Sequence, residues 1–212
     1  VQCINLKSLN VSDNPEITSV NHLANLEILD ASYKCGITDA GLANIIHLKS
    51  LNATDNSKIT TVNHLANLEI LDAHNNCGIN DAGLANCINL KVLGVSCNTK
   101  ITNLNNLANL EILDASYQYG INDAGLVNCV RLKSLDARYN TEILNVNHLV
   151  NLEILYASNS CGINDAGLVN CVHLKSLDVS DNEKITTVNH LVNLELLFAS
   201  GICGINDAGL GN

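Results

Sequence analysis

The sequence predicts an α/β solenoid of ten coils, curved, with one short parallel strand per coil on the concave face and short helices or turns on the convex face. Three observations carry this. First, the phrase NLEILDAS begins at Asn25 and Asn109, and its variants NLEILDAH, NLEILYAS and NLELLFAS begin at Asn67, Asn151 and Asn193, so the copies stand 42 residues apart. Second, each copy divides into a half of about 20 residues, as in LKSLNATDNSKITTVNHLAN, and one of about 22, as in LEILDAHNNCGINDAGLANC. Both halves carry L-x-x-L followed by an apolar residue two places on. Third, within LKSLNVS the residues Leu6, Leu9 and Val11 alternate with Ser8, Asn10 and Ser12, the period of two that a strand with one buried face imposes. Self-similarity at such a fixed period marks a stacked repeat architecture.

The double units run 3–44, 45–86, 87–128, 129–170 and 171–212, and the whole chain, 1–212, is expected to form one domain. A unit this small cannot bury its own apolar face, so stability must come from stacking on its neighbours. In INDAGLANC, Asp81 precedes a short apolar-faced segment. Because a carboxylate readily accepts an unpaired backbone N–H at a helix start, Asp39, Asp81, Asp123, Asp165 and Asp207 are expected to be N-caps, not catalytic acids.

The pattern resembles the leucine-rich repeat family, whose unit is L-x-x-L-x-L-x-x-N/C-x-L, over essentially the whole chain. The 22-residue half, ending CGINDAGL, is similar to the cysteine-containing subtype known from F-box proteins. The 20-residue half, with Asn14, Asn56, Asn98, Asn140 and Asn182 at its turn, is similar to the asparagine-ladder subtype. The style of the array resembles giant-virus and protist repeat proteins. This resemblance implies a non-enzymatic scaffold that recognises a protein partner through its concave sheet face. The cysteine-containing half implies an alternative, the substrate-recognition module of a ubiquitin ligase whose F-box lies outside this chain. A third reading is a structural, self-associating array, since the first and last units are as apolar as the internal ones, which suggests uncapped ends and end-to-end stacking.

Composition narrows the partner. With 47% hydrophobic and 15% charged residues the chain can fill a core, but with no Trp, no Met and one Phe that core must be made of Leu, Ile, Val, Ala and Cys. A net charge of −10 opposes attraction to phosphate backbones or anionic lipid. No apolar run approaches the roughly 18 residues that span a bilayer. Nucleic acid and membrane are therefore not expected partners.

Nine cysteines are the most conspicuous candidate chemistry, and eight fall on two ladders. Cys35, Cys77, Cys161 and Cys203 share a rung position with Tyr119, and Cys3, Cys87, Cys129 and Cys171 share one with Ile45. Rungs two coils apart stand roughly 9 to 10 Å apart, beyond the reach of a disulfide, and no zinc-type spacing is present. The thiols are expected to be small buried side chains in a reducing, intracellular setting, with no metal and no cofactor. Tyr119 must then open a gap or turn its ring to solvent. Cys97 differs, standing where Asp13, Asp55, Tyr139 and Asp181 stand in the other copies, and is the thiol expected to be exposed. His22, His64, His148 and His190 form a repeated series and so belong to the architecture. His74 alone lies at a concave-face position, beside Asp72, without a matched nucleophile.

Positions that every copy shares serve the stack, and positions that vary are free of it. The second residue of successive units alternates without a break, Lys7, Glu27, Lys49, Glu69, Lys91, Glu111, Lys133, Glu153, Lys175 and Glu195, a stripe suited to fixing register. The outward strand positions vary most. There Tyr117, Arg138, Tyr139 and Tyr156 gather in the sixth to eighth strands with Asp114 and Asp136. Tyr and Arg dominate interface energetics, so these six residues are the candidate partner-binding site. No catalytic residue is expected.

Overall fold

A computed structural model describes residues 3–117 and 119–211. Of the expected domain, Val1, Gln2, Gln118 and Asn212 lie outside the described residues. The chain divides into two compact units, Val1–Thr102 and Asn103–Asn212.

Each unit carries five three-residue strands among its described residues. In the first they are β1 (Ser8–Asn10), β2 (Ile28–Asp30), β3 (Ser50–Asn52), β4 (Ile70–Asp72) and β5 (Val92–Gly94). In the second they are β6 (Ile112–Asp114), β7 (Ser134–Asp136), β8 (Ile154–Tyr156), β9 (Ser176–Asp178) and β10 (Leu196–Phe198). Within a unit each strand pairs in parallel with the next, the central leucines in register: Leu9, Leu29, Leu51, Leu71 and Leu93, then Leu113, Leu135, Leu155, Leu177 and Leu197. The consensus leucines point into the coil, where Leu68, Leu71, Ala73 and Ile79 are fully buried. Each fully buried leucine contributes about 1.5 to 3 kcal/mol relative to exposure, so the repeat motif is also the list of core residues.

A single helical turn lies within each half of about 22 residues: Asp39–Leu42, Asp81–Leu84 and Asp165–Leu168 are α-helical, and Asp123–Leu126 and Asp207–Leu210 take the tighter 3-10 form. The caps are not the aspartates. Asn80, Asn122, Asn164 and Asn206, one residue earlier, accept the N–H of Gly83, Gly125, Gly167 and Gly209 through their side chains. This frees the aspartates to reach the next coil. Asp81 accepts the Thr102 N–H and hydroxyl, each at 2.7 Å, and Asp165 does the same for Thr186 at 2.7 and 2.6 Å. A cap rule is local, whereas these bonds span 21 residues.

The glycine in each of these turns is set by coil spacing. A Cβ on Gly83 would stand 2.2 Å from the Thr60 carbonyl oxygen, and one on Gly167 equally close to that of Leu144. No side chain fits there without separating adjacent coils.

Asparagines then satisfy the backbone that the short strands leave unpaired. The side-chain amide of Asn56 donates to the carbonyls of Ala31 and Ile37 at 2.8 and 3.2 Å and its oxygen accepts the Lys58 N–H at 3.0 Å. Asn98, Asn140 and Asn182 repeat this arrangement, all essentially without solvent contact. Beyond this expected ladder, Asn63, Asn105 and Asn147 donate to Ala82, Ala124 and Ala166 and accept from Asn86, Asn128 and Asn170. His64, His148 and His190 bond the carbonyls of Leu42, Leu126 and Leu168 at 3.0 to 3.1 Å, so these three of the repeated histidines serve the stack.

Candidate protein-binding face

Each strand ends by turning out of the sheet, and one residue per coil takes the strain. Asp13, Tyr33, Asp55, Asn75 and Cys97 in the first unit, and Tyr117, Tyr139, Asn159 and Asp181 in the second, all have φ between 51° and 62°, and Gly201 completes the row at 69°. This left-handed conformation is cheap for Gly, Asn and Asp and unfavourable for bulky side chains. The aspartates of the row also tie coils together. Asp55 accepts the Asn75 side-chain amide at 2.9 Å and the Asn76 N–H at 3.2 Å, and Asp181 accepts the Ile202 N–H at 3.0 Å. Tyr33, Tyr117 and Tyr139 bear the strain and cannot offer such a carboxylate.

Two of those tyrosines are adjacent rungs and stack, with ring centroids 4.3 Å apart and planes within 18°. The Tyr117 N–H donates to the Arg138 carbonyl oxygen at 2.8 Å, which locks the two coils at this point. Arg138 is held from both sides. Its Nε donates to both oxygens of Asp136 at 3.0 Å, and its guanidinium carbon lies 5.6 Å from the centre of the Tyr156 ring. The hydrogen bond to Asp136 is the chief reason that the guanidinium's already high pKa is raised further. Asp114 pairs in register with Asp136, and Asp136 with Tyr156, so all six expected site residues lie together on one face of the second unit.

The row containing Arg138 is less open than alternation suggests. Ser32, Ser116 and Ser158 are buried, because the chain begins its turn there and folds the small hydroxyl under. A small residue is what that position admits, and Arg138, with 45% of its side chain exposed, extends past it.

No protein-family model matches the chain, and no curated protein matches it. Among solved structures, the chain is similar to an internalin C2 of Listeria monocytogenes, at 24% identity and a TM-score of 0.57, covering 91% of this chain and 80% of that one. It is also similar to the functional domain of InlJ of the same organism, described as including a cysteine ladder, at 19% identity and a TM-score of 0.55. That match covers 96% of this chain and 55% of that domain's chain. The fold is that of leucine-rich-repeat proteins.

In this leucine-rich-repeat stack the cysteine rungs are structural. All nine thiols are free; six are buried, Cys203 is intermediate, and Cys3 and Cys97 are exposed. Burial pushes the thiols of Cys77, Cys87, Cys129, Cys161 and Cys171 up to about 11, which keeps them protonated and poorly nucleophilic. Cys87, Cys129 and Cys171 turn the S–H toward the carbonyls of Val62, Leu104 and Val146 at 3.4 to 3.6 Å. At the rung where tyrosine replaces cysteine, Tyr119 is 65% exposed, so its ring leaves the wall. Among the described residues no group of three or more His, Cys, Asp or Glu side chains is arranged to hold a metal ion, and no helix is long and apolar enough to cross a membrane.

One coil of the first unit departs from the repeat. Where the third strand residue is Asn10, Asp30, Asn52, Asp114, Asp136 or Asp178, its side chain accepts the N–H two places on, as Asp30 does for Ser32 and Asp136 for Arg138. Gly94 has no side chain to do so, and His74 of the preceding coil supplies Nδ1 to the Ser96 N–H at 3.0 Å. The ring occupies the space above Gly94, where a Cβ would lie 2.3 Å from Nε2. His74 therefore substitutes for a missing acceptor, with Asp72 3.7 Å from its Nε2.

Sequence reasoning passed over two features of the outward strand positions. Tyr33 sits in the same strained row and is half exposed. The first strand residues Ile28, Ile70 and Ile112 form exposed apolar rungs that alternate with Ser8, Ser50 and Ser134. Both were legible from the repeat. The left-handed row is mostly Asp, Asn and Gly, and an isoleucine recurs in one half-repeat where the other has serine.

Proposed function

We propose that the protein is a non-enzymatic recognition scaffold that binds a protein partner through the outward face of its sheet, centred on Tyr117, Arg138, Tyr139 and Tyr156 with Asp114 and Asp136. The observation that carries this reading is the placement of two tyrosines at left-handed positions, where aspartate is less strained and also ties the next coil. Side chains that serve the stack poorly, cluster on one face and belong to the types that dominate interfaces are best accounted for by binding. Arg138 supports the reading because Asp136 and Tyr156 fix its guanidinium in place, so little side-chain freedom is lost when a partner docks. The two units are read as one recognition domain, and the buried free thiols suit a reducing compartment.

The test is a partner recovered by affinity purification and confirmed with purified components. Replacing Tyr139 and Tyr156 together by Ala is expected to weaken its binding at least tenfold, measured by calorimetry, with the circular dichroism spectrum unchanged. Unchanged affinity in a folded variant would remove this cluster as the site.

A further inference from the structure

The outward face alternates in chemistry from strand to strand, and the alternation defines a length. In the second unit the first strand position reads Ile112, Ser134, Ile154, Ser176 and Leu196, and the third, on the same side, reads Asp114, Asp136, Tyr156, Asp178 and Phe198. Ile154 with Tyr156, and Leu196 with Phe198, form two apolar rungs. The strand between them presents Ser176 and Asp178.

Neighbouring parallel strands lie about 4.8 Å apart, so rungs two strands apart repeat at about 9.6 Å. A ligand crossing the strands must match that period to seat a side chain on both rungs. An extended strand repeats its face about every 6.7 Å, and one or two turns of α-helix advance about 5.4 or 10.8 Å. A left-handed polyproline helix returns to the same face every third residue, about 9.3 Å on. It fits within a few tenths of an ångström, and its low conformational entropy lowers the cost of docking on so shallow a surface.

Charge fixes the rest. Asp178 lies between the apolar rungs, and the chain carries a net charge of −10. Arg138, a basic group on this face, is engaged by Asp136. We propose that this face takes a polyproline-type segment of the partner, with apolar residues three apart on the Ile154/Tyr156 and Leu196/Phe198 rungs and a Lys or Arg between them opposite Asp178. This rests on the protein-binding reading above and adds the conformation and charge of the occupant.

The probe is a fluorescein-labelled twelve-residue peptide of repeating proline, leucine and arginine, titrated with the full chain and followed by anisotropy. It is expected to bind at least tenfold more tightly than a peptide of the same composition scrambled to break the three-residue period, and than one with glutamate in place of arginine. Phe198→Ser is expected to weaken it at least fivefold. Asp178→Asn, which retains an oxygen for the Ser180 N–H now bonded at 2.9 Å, is expected to weaken it at least threefold. Equal binding of the scrambled peptide, or indifference to both substitutions, overturns the inference. A random twelve-residue display selection separates it from the broader reading. Ligands that require Tyr139 and Tyr156 but lack a three-residue period overturn the polyproline occupant alone, and a selection yielding no ligand sensitive to those tyrosines overturns both.

Discussion

Tyr139 and Asn140 are joined by one peptide bond and follow opposite rules. Asn140 is fully buried, recurs in all five copies of the repeat, and places its side chain between the carbonyls of Ala115 and Ile121 and the N–H groups of Glu142 and Ile143. Tyr139 is half-buried, replaced by Asp or Cys in the other copies, and held at a φ of 59° that its side chain disfavours. One residue closes the coil and the other faces out of it. A repeat protein can therefore separate stability from recognition at neighbouring positions, because constraint along the stack falls on the side chains that bond to other coils.

The largest effect should come from breaking the first rule. Asn140→Ala leaves two carbonyls and two N–H groups without their side-chain partner in a dry interior, where each unpaired group costs about 1 to 3 kcal/mol. Allowing for relaxation, a loss of about 3 to 5 kcal/mol is expected in urea unfolding. A loss below about 1 kcal/mol would mean that water or neighbouring coils replace the ladder.

An intermediate effect should come from the Gly94 coil, in which the local acceptor is already missing and His74 replaces it. Gly94→Ala displaces the His74 ring and removes the acceptor of the Ser96 N–H, so a loss of about 1 to 2 kcal/mol is expected. Gly94→Asp displaces the ring too, but its carboxylate can take that N–H as Asp30 and Asp136 do in their own coils. The larger, charged substitution should therefore be the milder one. The reverse order in urea midpoints would show that the ring's packing, and not the hydrogen bond, is what His74 contributes.

Smaller still in stability is the change that tests the second rule. Tyr139→Asn relieves a bulky side chain of a left-handed backbone, worth about 1 kcal/mol, and forfeits the stack on Tyr117, worth about 0.5 to 1.5 kcal/mol. The two nearly cancel, so stability should stay within about 0.5 kcal/mol of the parent while affinity for a partner falls at least tenfold. A large stability loss would place Tyr139 with Asn140 among the residues that hold the stack.

The same contrast explains what the sequence makes legible. The 42-residue period, the strand register and the buried Asn98 ladder follow from residues that repeat in every copy, and they stand where the pattern puts them. The clustering of Tyr117, Arg138, Tyr139 and Tyr156 was legible as well, because parallel registration carries rung positions directly into space. The capping role assigned to Asp81 was not, since a local rule cannot tell a carboxylate that bonds its own turn from one that reaches Thr102 in the next coil. The buried serine row was also hidden. Strict alternation assumes a strand long enough to include Ser116, but the strand ends at Asp114.

The smallest expected effect concerns the Lys and Glu stripe. Its short contacts are unequal: Glu27, Glu69, Glu111 and Glu153 each meet the lysine 22 residues on at 2.7 Å, and Lys7 reaches Glu27 at 3.2 Å. The hydrogen bonds from Lys49, Lys91 and Lys175 hold the carboxyls of Glu27, Glu69 and Glu153 below the usual value of 4.5. A carboxyl whose pKa is lower when folded adds stability above its unfolded pKa and loses it as pH falls through the folded one. The parent and a Glu27→Gln, Glu69→Gln, Glu153→Gln variant should therefore differ at pH 7 and converge as the pH falls below 4.5. Because these side chains are exposed and screened, the gap in urea midpoint should be slight and should close in 0.5 M salt. If the midpoints coincide at every pH, the stripe contributes nothing measurable to stability. Lys133→Glu, which sets a third carboxylate between Glu111 and Glu153, then asks the remaining question. A marked destabilisation from that reversal alone would show that the alternation guards the order of the coils against like-charge registers.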